Sequence, residues 1–322
     1  MFKWLSKFCS PQQLYEAGIL GMNARNFNII SKHNQRHLFP LVDDKVKTKN
    51  LANNIGISTP KLIGKIECQY EVKNILDIIK GLNEFVIKPA QGSGGKGVMV
   101  ITDYHDGIFI TASGRQITYS EVYQHISNIL SGLYSLGGKY DTAIIEELVH
   151  FSDVFKEYSY QGVPDVRLII YKGFPIMAMT RLPTKASGGR ANLHQGAVGV
   201  GLDIQTGTAL HGVLRNQPVT IQPDTGADLM KIQVPYWKEH LLIGALAYDM
   251  TGLGYLGADI VLDANKGPMM LELNARPGLA IQIANGFGLK TKIKEVDKYY
   301  PSNLNASQRI EFVLNYQRAK SK

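Results

Sequence analysis

Two groups of residues in this 322-residue sequence have types and spacing suited to chemistry. The first is FVIKPAQGSGGKGVMVI, where Gly92, Gly94 and Gly97 follow G-x-G-x-x-G spacing behind Lys88. A dinucleotide fingerprint needs a strand, a turn and then a helix. VMVI reads as a strand, so that reading fails. A Walker A loop fails as well, because Lys96 is followed by Gly97 and not by Ser or Thr. What remains is a strand–loop–strand lid, whose backbone N–H groups can close over phosphates. Glycine permits that close approach, and Lys88 adds a point charge on the entering strand. Protein kinases use a similar lid, but the chain has no H-R-D or D-F-G partner. An ordinary glycine-rich hairpin is the bland alternative.

The second group is ADIVLDANKGPMMLELNARPG. Closing this hairpin around residues 264–267 places Asp259 opposite Glu272, with Asn274 on the same face. Opposed carboxylates repel across a sheet. A magnesium ion removes that conflict, because it favours hard oxygen donors and also binds substrate phosphates. Ile260, Leu262, Met270, Leu271 and Leu273 make the strands apolar, so the three polar residues are exceptions. A solvent-facing strand pair is the alternative, and a shift of one residue would undo the pairing.

These residues need strands and helices to hold them. Asp43 or Asp44 caps a helix over KVKTKNLANN, which ends before Gly56 and a turn at Thr59-Pro60. EVKNILDIIK has helical spacing, with Val72, Ile75, Leu76 and Ile79 on one face. Residues 119–135 read as a helix with Val122, Ile126, Ile129 and Leu133 together. Hairpins turn at Ser113-Gly114 and at Lys172-Gly173, AIIEEL is a buried strand, and a helix covers about 236–251. Antiparallel hairpins with segregated helices argue for an α+β fold rather than a doubly wound parallel sheet. The expected divisions are an N-terminal extension (1–40), a small lobe with the glycine-rich lid (41–149) and a large lobe with the metal site and tail (150–322).

Composition narrows the partners. The net charge of +8 favours anionic ligands such as nucleotides or acidic peptides. No dense Lys/Arg block with interleaved aromatics occurs, so no nucleic-acid partner is expected. Cys9 and Cys68 have no metal-ligand spacing and read as bystanders of a reducing cytoplasm. No apolar run is long enough to span a membrane. Phe2, Leu5 and Phe8 form one face of a short N-terminal helix, for which docking onto the body is preferred to peripheral membrane contact. Trp4 and Trp237 read as packing residues, and homo-oligomerisation is left open.

A lysine helix, FVIKP with its glycine-rich lid, IIEEL, DVR, RANLHQG and LELNARPG occur in that order. Over residues 41–290 this resembles the ATP-grasp superfamily, most closely the RimK-type α-L-glutamate ligases and a related group of glutamate ligase-like proteins. The resemblance implies an ATP-grasp fold with the nucleotide between two α+β lobes. Lys45 and Lys88 would contact phosphates and adenine, under a lid of Gly92, Ser93, Gly94, Gly95, Lys96 and Gly97. Glu146 or Glu147 would take the adenine amino group, the backbone near Leu148 and Val149 the ring edge, and Asp153 the ribose. Asp259, Glu272 and Asn274 would hold Mg²⁺, with Mn²⁺ as a substitute. Arg167, Arg190, Asn192, His194 and Arg276 would line the carboxylate and acyl-phosphate side. RimK-type enzymes carry a full domain before the lysine helix; here about 40 residues precede it.

The reaction implied is ADP-forming ligation of an acid to an amine through an acyl-phosphate. The expected substrates are glutamate or a similar amino acid and a peptide, protein tail or small-molecule acceptor. The alternatives are an ATP-binding regulator that does not ligate, and a ligase with an unrelated acid and amine, such as a sugar- or peptide-linked one. Arg181 shares a face with Arg167 and is left unassigned, and Lys49, one turn after Lys45, is expected in solvent.

Overall fold

Period-2 burial in FVIKP, with Phe85 and Ile87 inside, builds an inner strand of one antiparallel sheet, and the nearly all-apolar YLGADIVLD builds an inner strand of a second. The computed structural model describes residues 9–92, 94–135 and 137–320. The expected N-terminal helix face of Phe2, Leu5 and Phe8, together with Trp4 and Ser93, lies outside them. Two compact units emerge: Pro40–His150, and the chain on either side of that span. Both are mixed α+β, as expected. No helix among the described residues is long and apolar enough to cross a membrane.

The smaller unit is a six-stranded sheet of β1 (Leu62–Ile66), β2 (Phe85–Pro89), β3 (Met99–His105), β4 (Ile108–Thr111), β5 (Gln116–Ile117) and β6 (Ala143–Glu146). The order is β1-β6-β2-β3-β4-β5, with every pairing antiparallel. Thr118 and Glu121 form a capping box for the helix Tyr119–Leu130. That helix buries Val122, Ile126 and Ile129 in one core with Phe85, Ile87 and Phe109. Leu133 does not join them: the helix ends at Leu130, and Leu133 is 65% exposed. Gly132 turns the chain there at φ +83°, and a Cβ would lie 2.2 Å from the Lys139 carbonyl. EVKNILDIIK also differs from one continuous α-helix. Gln69–Asn74 is 3₁₀ and only Ile75–Ile78 is α. Three residues per turn instead of 3.6 rotate the apolar face, so Val72, Ile75 and Ile79 are buried while Leu76 points outward.

The larger unit is a seven-stranded antiparallel sheet. Its strands are β7 (Asp165–Tyr171), β8 (Phe174–Leu182), β9 (Val198–Leu202), β10 (Ala209–Leu214), β11 (Gln217–Pro218), β12 (Tyr255–Asp263) and β13 (Gly267–Asn274). They run in the order β11-β10-β9-β8-β7-β12-β13. Lys172 and Gly173, at φ +50° and +83°, form the tight turn between β7 and β8. The helix Trp237–Thr251 lies close to the Leu168 and Ile170 side, where a Cβ on Gly244 would come within 2.9 Å of Leu168. Ile169, Tyr171, Met177 and Met179 belong to a core with Leu289, Ile293 and Val296 of the helix Leu289–Tyr299. Leu20, Ile29 and Ile30 from the N-terminal segment complete that core. Asn34 stitches the segment down: its amide donates to the carbonyls of Tyr255 (2.6 Å) and Ala275 (3.0 Å) and accepts from Tyr255 N–H (2.8 Å).

The β12–β13 hairpin reaches the expected pairing by an unexpected route. Near the turn, Asp263 pairs with Gly267 and Ile260 with Met270. The register then shifts, and Asp259 pairs with Glu272 and Gly257 with Asn274. Leu271 is the extra residue of a β-bulge. Without it, alternation would send Glu272 to the opposite face from Asp259.

Candidate functional site

In the larger unit the charged residues form a row across four strands. Arg167 on β7 pairs with Asp259 on β12, which pairs with Glu272 on β13; Asp165 on β7 pairs with Arg181 on β8. The Arg167 Nε donates to Asp259 Oδ1 at 2.6 Å, and its second fork nitrogen donates to Oδ2. Arg181 grips Asp165 in the same bidentate way, with Nε to Oδ1 at 2.6 Å. It also reaches Asp259 Oδ2 at 2.9 Å. Planar guanidinium forks match carboxylates in this way, and they stay charged when buried.

Burial makes these charges matter, since Asp259 is only 3% exposed. Burial pushes its carboxyl up, but Arg167 and Arg181 outweigh that and, with hydrogen bonding to Glu272, hold it below the usual carboxylate range. Asp165 has one guanidinium fork instead of two. Burial, helped by the Asp259 charge, pushes it up to about 6 against the pull of Arg181.

Asp259, Glu272 and Asn274 therefore share one face, as the sequence predicts. Among the described residues no three His, Cys, Asp or Glu side chains converge as a metal cage. Two carboxylates and an amide oxygen nevertheless suit Mg²⁺ or Mn²⁺, which commonly take one or two protein carboxylates and complete their shell with phosphates and water. Asn274 Oδ1 also accepts the Arg276 N–H at 2.8 Å, which shapes the turn after β13. The Arg276 guanidinium lies 5.1 Å from the Phe39 ring centroid. Arg190 and His194 are exposed on the loop after β8. Asn192 caps the short turn Leu193–Gln195 by accepting from His194 N–H at 3.0 Å. Asp153 begins the 3₁₀ turn Asp153–Tyr158 and is exposed.

In the smaller unit, Asp44 accepts from the N–H groups of Val46 and Lys47 and starts the helix Lys45–Asn54. That places Lys45 beside the glycine-rich loop, where its Nζ donates to the Gly92 carbonyl at 2.7 Å. Gly94, Gly95 and Gly97 adopt φ of +65°, +73° and +73°, the left-handed region that suits glycine. The loop is anchored at both ends. Asp141 accepts from Gln91 N–H (3.0 Å to Oδ1), and His125 Nε2 lies 3.1 Å from the Gly97 carbonyl. A Cβ on Gly97 would come within 2.5 Å of the Tyr134 ring. Lys96 is exposed at the loop tip, and Leu148 and Val149 follow β6.

Lys88 does not stand alone. Its Nζ lies 2.6 Å from Glu146 Oε2, and the Nζ of Lys49 lies 3.0 Å from Glu146 Oε1. The expectation of a solvated Lys49 is overturned, because it is 4% exposed. Burial, opposed by Glu146 and reinforced by Lys88, pulls it down to about 8. The expectation that Glu146 takes the adenine amino group also changes, since both its oxygens face lysines. Glu147 Oε1 accepts from Lys61 N–H at 2.8 Å.

Sequence reasoning thus left Arg181 without a role, passed over Asp165 and placed Lys49 in solvent. Asp165 and Arg181 carried a usable signal, since both share a strand face with Arg167. Lys49 carried none, because its burial depends on Glu146, distant in the chain.

A profile of the family described as sugar-transfer associated ATP-grasp matches residues 24–298. Among solved structures, the ATP-grasp ligase PsnB complexed with a minimal precursor is similar at 14% identity and a TM-score of 0.43, over 83% of this chain and 63% of that one. This chain thus spans less than two thirds of PsnB. D-cycloserine synthetase DcsG gives 15% identity and a TM-score of 0.42 over 87% and 71%. D-alanine–D-alanine ligase from Bacillus anthracis gives 15% and 0.41 over 87% and 69%. No curated protein matches. With the profile covering most of the chain, and with two α+β units on antiparallel sheets beneath it, the protein belongs to the sugar-transfer associated ATP-grasp family.

Proposed function

We propose that the protein is an ATP-dependent carboxylate–amine ligase. A substrate carboxylate attacks the γ-phosphorus of ATP and ADP leaves. An amine then attacks the acyl carbon of the acyl-phosphate, and inorganic phosphate leaves. The observation that carries this reading is the row of Asp165, Arg167, Arg181, Asp259 and Glu272, buried or half-buried in an otherwise apolar sheet. It offers fixed guanidinium groups and hard oxygen donors, and such chemistry depends on positioning and charge stabilisation.

On this reading Lys45, Lys88 and the loop from Gly92 to Gly97 hold the phosphates. Glu147, Leu148 and Val149 face the adenine, and Asp153 the ribose. Glu272 and Asn274, with Asp259 sharing an oxygen, hold Mg²⁺, which when bound neutralises phosphate charge. Arg167, Arg190, Asn192, His194 and Arg276 orient the substrate carboxylate and the transferred phosphoryl group.

The resemblance to RimK-type enzymes supports glutamate or a similar amino acid as one substrate, with a peptide, protein tail or small molecule as acceptor. The family's association with sugar transfer supports a second reading, in which the acid or amine is carried on a sugar. The test is phosphate release from Mg-ATP against separate pools of amino acids, acidic peptides, amino sugars and uronic acids. Release that depends on one pool, with ADP formed in equal amount, is expected. ATP binding with no release in any pool would turn the assignment toward a regulator.

A further inference from the structure

Lys49 lies in a helix whose sequence, KVKTKNLANN, is almost entirely polar, yet it is buried against the sheet. Its Nζ donates to the Pro60 carbonyl and lies 3.0 Å from Glu146 Oε1. Lys88 approaches the other oxygen of the same carboxylate at 2.6 Å. Glu147, the residue after β6, adds a more distant negative charge. A structural ion pair needs one lysine. A second ammonium in so dry a place is costly: burial first, and then the Lys88 charge, pull Lys49 down to about 8 against the hold of Glu146. Two ammonium groups against one carboxylate leave one positive charge uncompensated beside Lys88.

We propose that Lys49 is a positioning residue of the nucleotide site: it holds the Glu146 carboxylate and so leaves Lys88 with an uncompensated charge for a bound phosphate. This rests on the reading of Lys88 as a phosphate ligand. Lys49 need not touch the phosphate. A phosphate arriving at Lys88 favours the charged form of Lys49, so binding near pH 8 draws a proton from solution.

The test is calorimetric titration of ADP with Mg²⁺ into the full chain at pH 8, in two buffers of different ionisation enthalpy. The wild type is expected to take up about half a proton, as a group half-titrated at that pH requires. Lys49→Met leaves a neutral Glu146–Lys88 pair, so ADP should bind about tenfold more weakly with no proton uptake. Lys49→Arg restores a permanent cation and should keep affinity within about threefold while the uptake disappears. Equal affinity and equal proton uptake in wild type and Lys49→Met would overturn the inference and leave Lys88 as a phosphate ligand. If Lys49→Met does not fold, persistent uptake in Lys49→Arg overturns it instead. No ADP binding by the wild type would sink the nucleotide reading itself, and the inference with it.

Discussion

Both units hold a charged cluster on a sheet, and the two clusters are built from different bases. In the larger unit three carboxyls, Asp165, Asp259 and Glu272, meet two guanidinium groups, Arg167 and Arg181. In the smaller unit two ammonium groups, Lys49 and Lys88, meet one carboxylate. On the proposed reading the first arrangement takes a cation and the second an anion. The choice of base follows. Arginine stays charged beside buried acids, so the larger cluster is fixed. Lysine yields its proton when desolvated, so the smaller cluster can respond to what binds.

The comparison breaks most visibly at Asp259. Asp259→Ala leaves Arg167 and Arg181 facing each other without their shared acceptor, and should cost about 3–5 kcal/mol of stability in denaturant unfolding. A loss under ~1 kcal/mol would mean the row is solvated and weak. Glu272→Ala should leave the fold intact and reduce Mg²⁺-dependent turnover on the order of a hundredfold to a thousandfold. Unchanged turnover would remove the metal assignment. Lys88→Ala should weaken ATP binding about ten- to a hundredfold, read by titration, because it removes a charge-assisted contact. Unaltered affinity would count against the glycine-rich loop as a phosphate lid.

The smallest effect is in pH dependence. The Lys49 ammonium is depressed from 10.5 to about 8 on folding. Between those values the unfolded chain binds more protons than the folded one, so stability rises with pH across the window. This contribution is present above 10.5 and lost as pH falls through 8. Relative to Lys49→Met, the wild type should gain on the order of 2 kcal/mol from pH 8 to 10.5. A flat difference would show that Lys49 keeps an ordinary proton affinity.

What the sequence reveals is what local rules determine. Alternation finds β2, short apolar runs find β6, β7 and β12, and Lys172-Gly173 announces its own turn. Asp44 caps the lysine helix because its side chain satisfies the first N–H groups. The shared face of Asp259, Glu272 and Asn274 is anticipated from strand parity, but it holds only through the bulge at Leu271. Three features are not, each for a physical reason. Lys49 is buried by a strand distant in the chain. Leu76 turns outward because a 3₁₀ stretch changes the helical pitch before it. Asp165 and Arg181 were visible as charges, but their mutual grip depends on the pairing of β7 with β8.

The bulge at Leu271 has a consequence for how relatives should be compared. The strand changes phase between its turn and its charged end, so the two halves of the hairpin follow different counting rules. An alignment anchored on the turn, and extended without a gap to a chain lacking the bulge, would match Glu272 to a residue on the opposite side of the sheet. Anchoring on Glu272, Leu273 and Asn274 keeps the carboxylates in correspondence and moves the gap to residue 271.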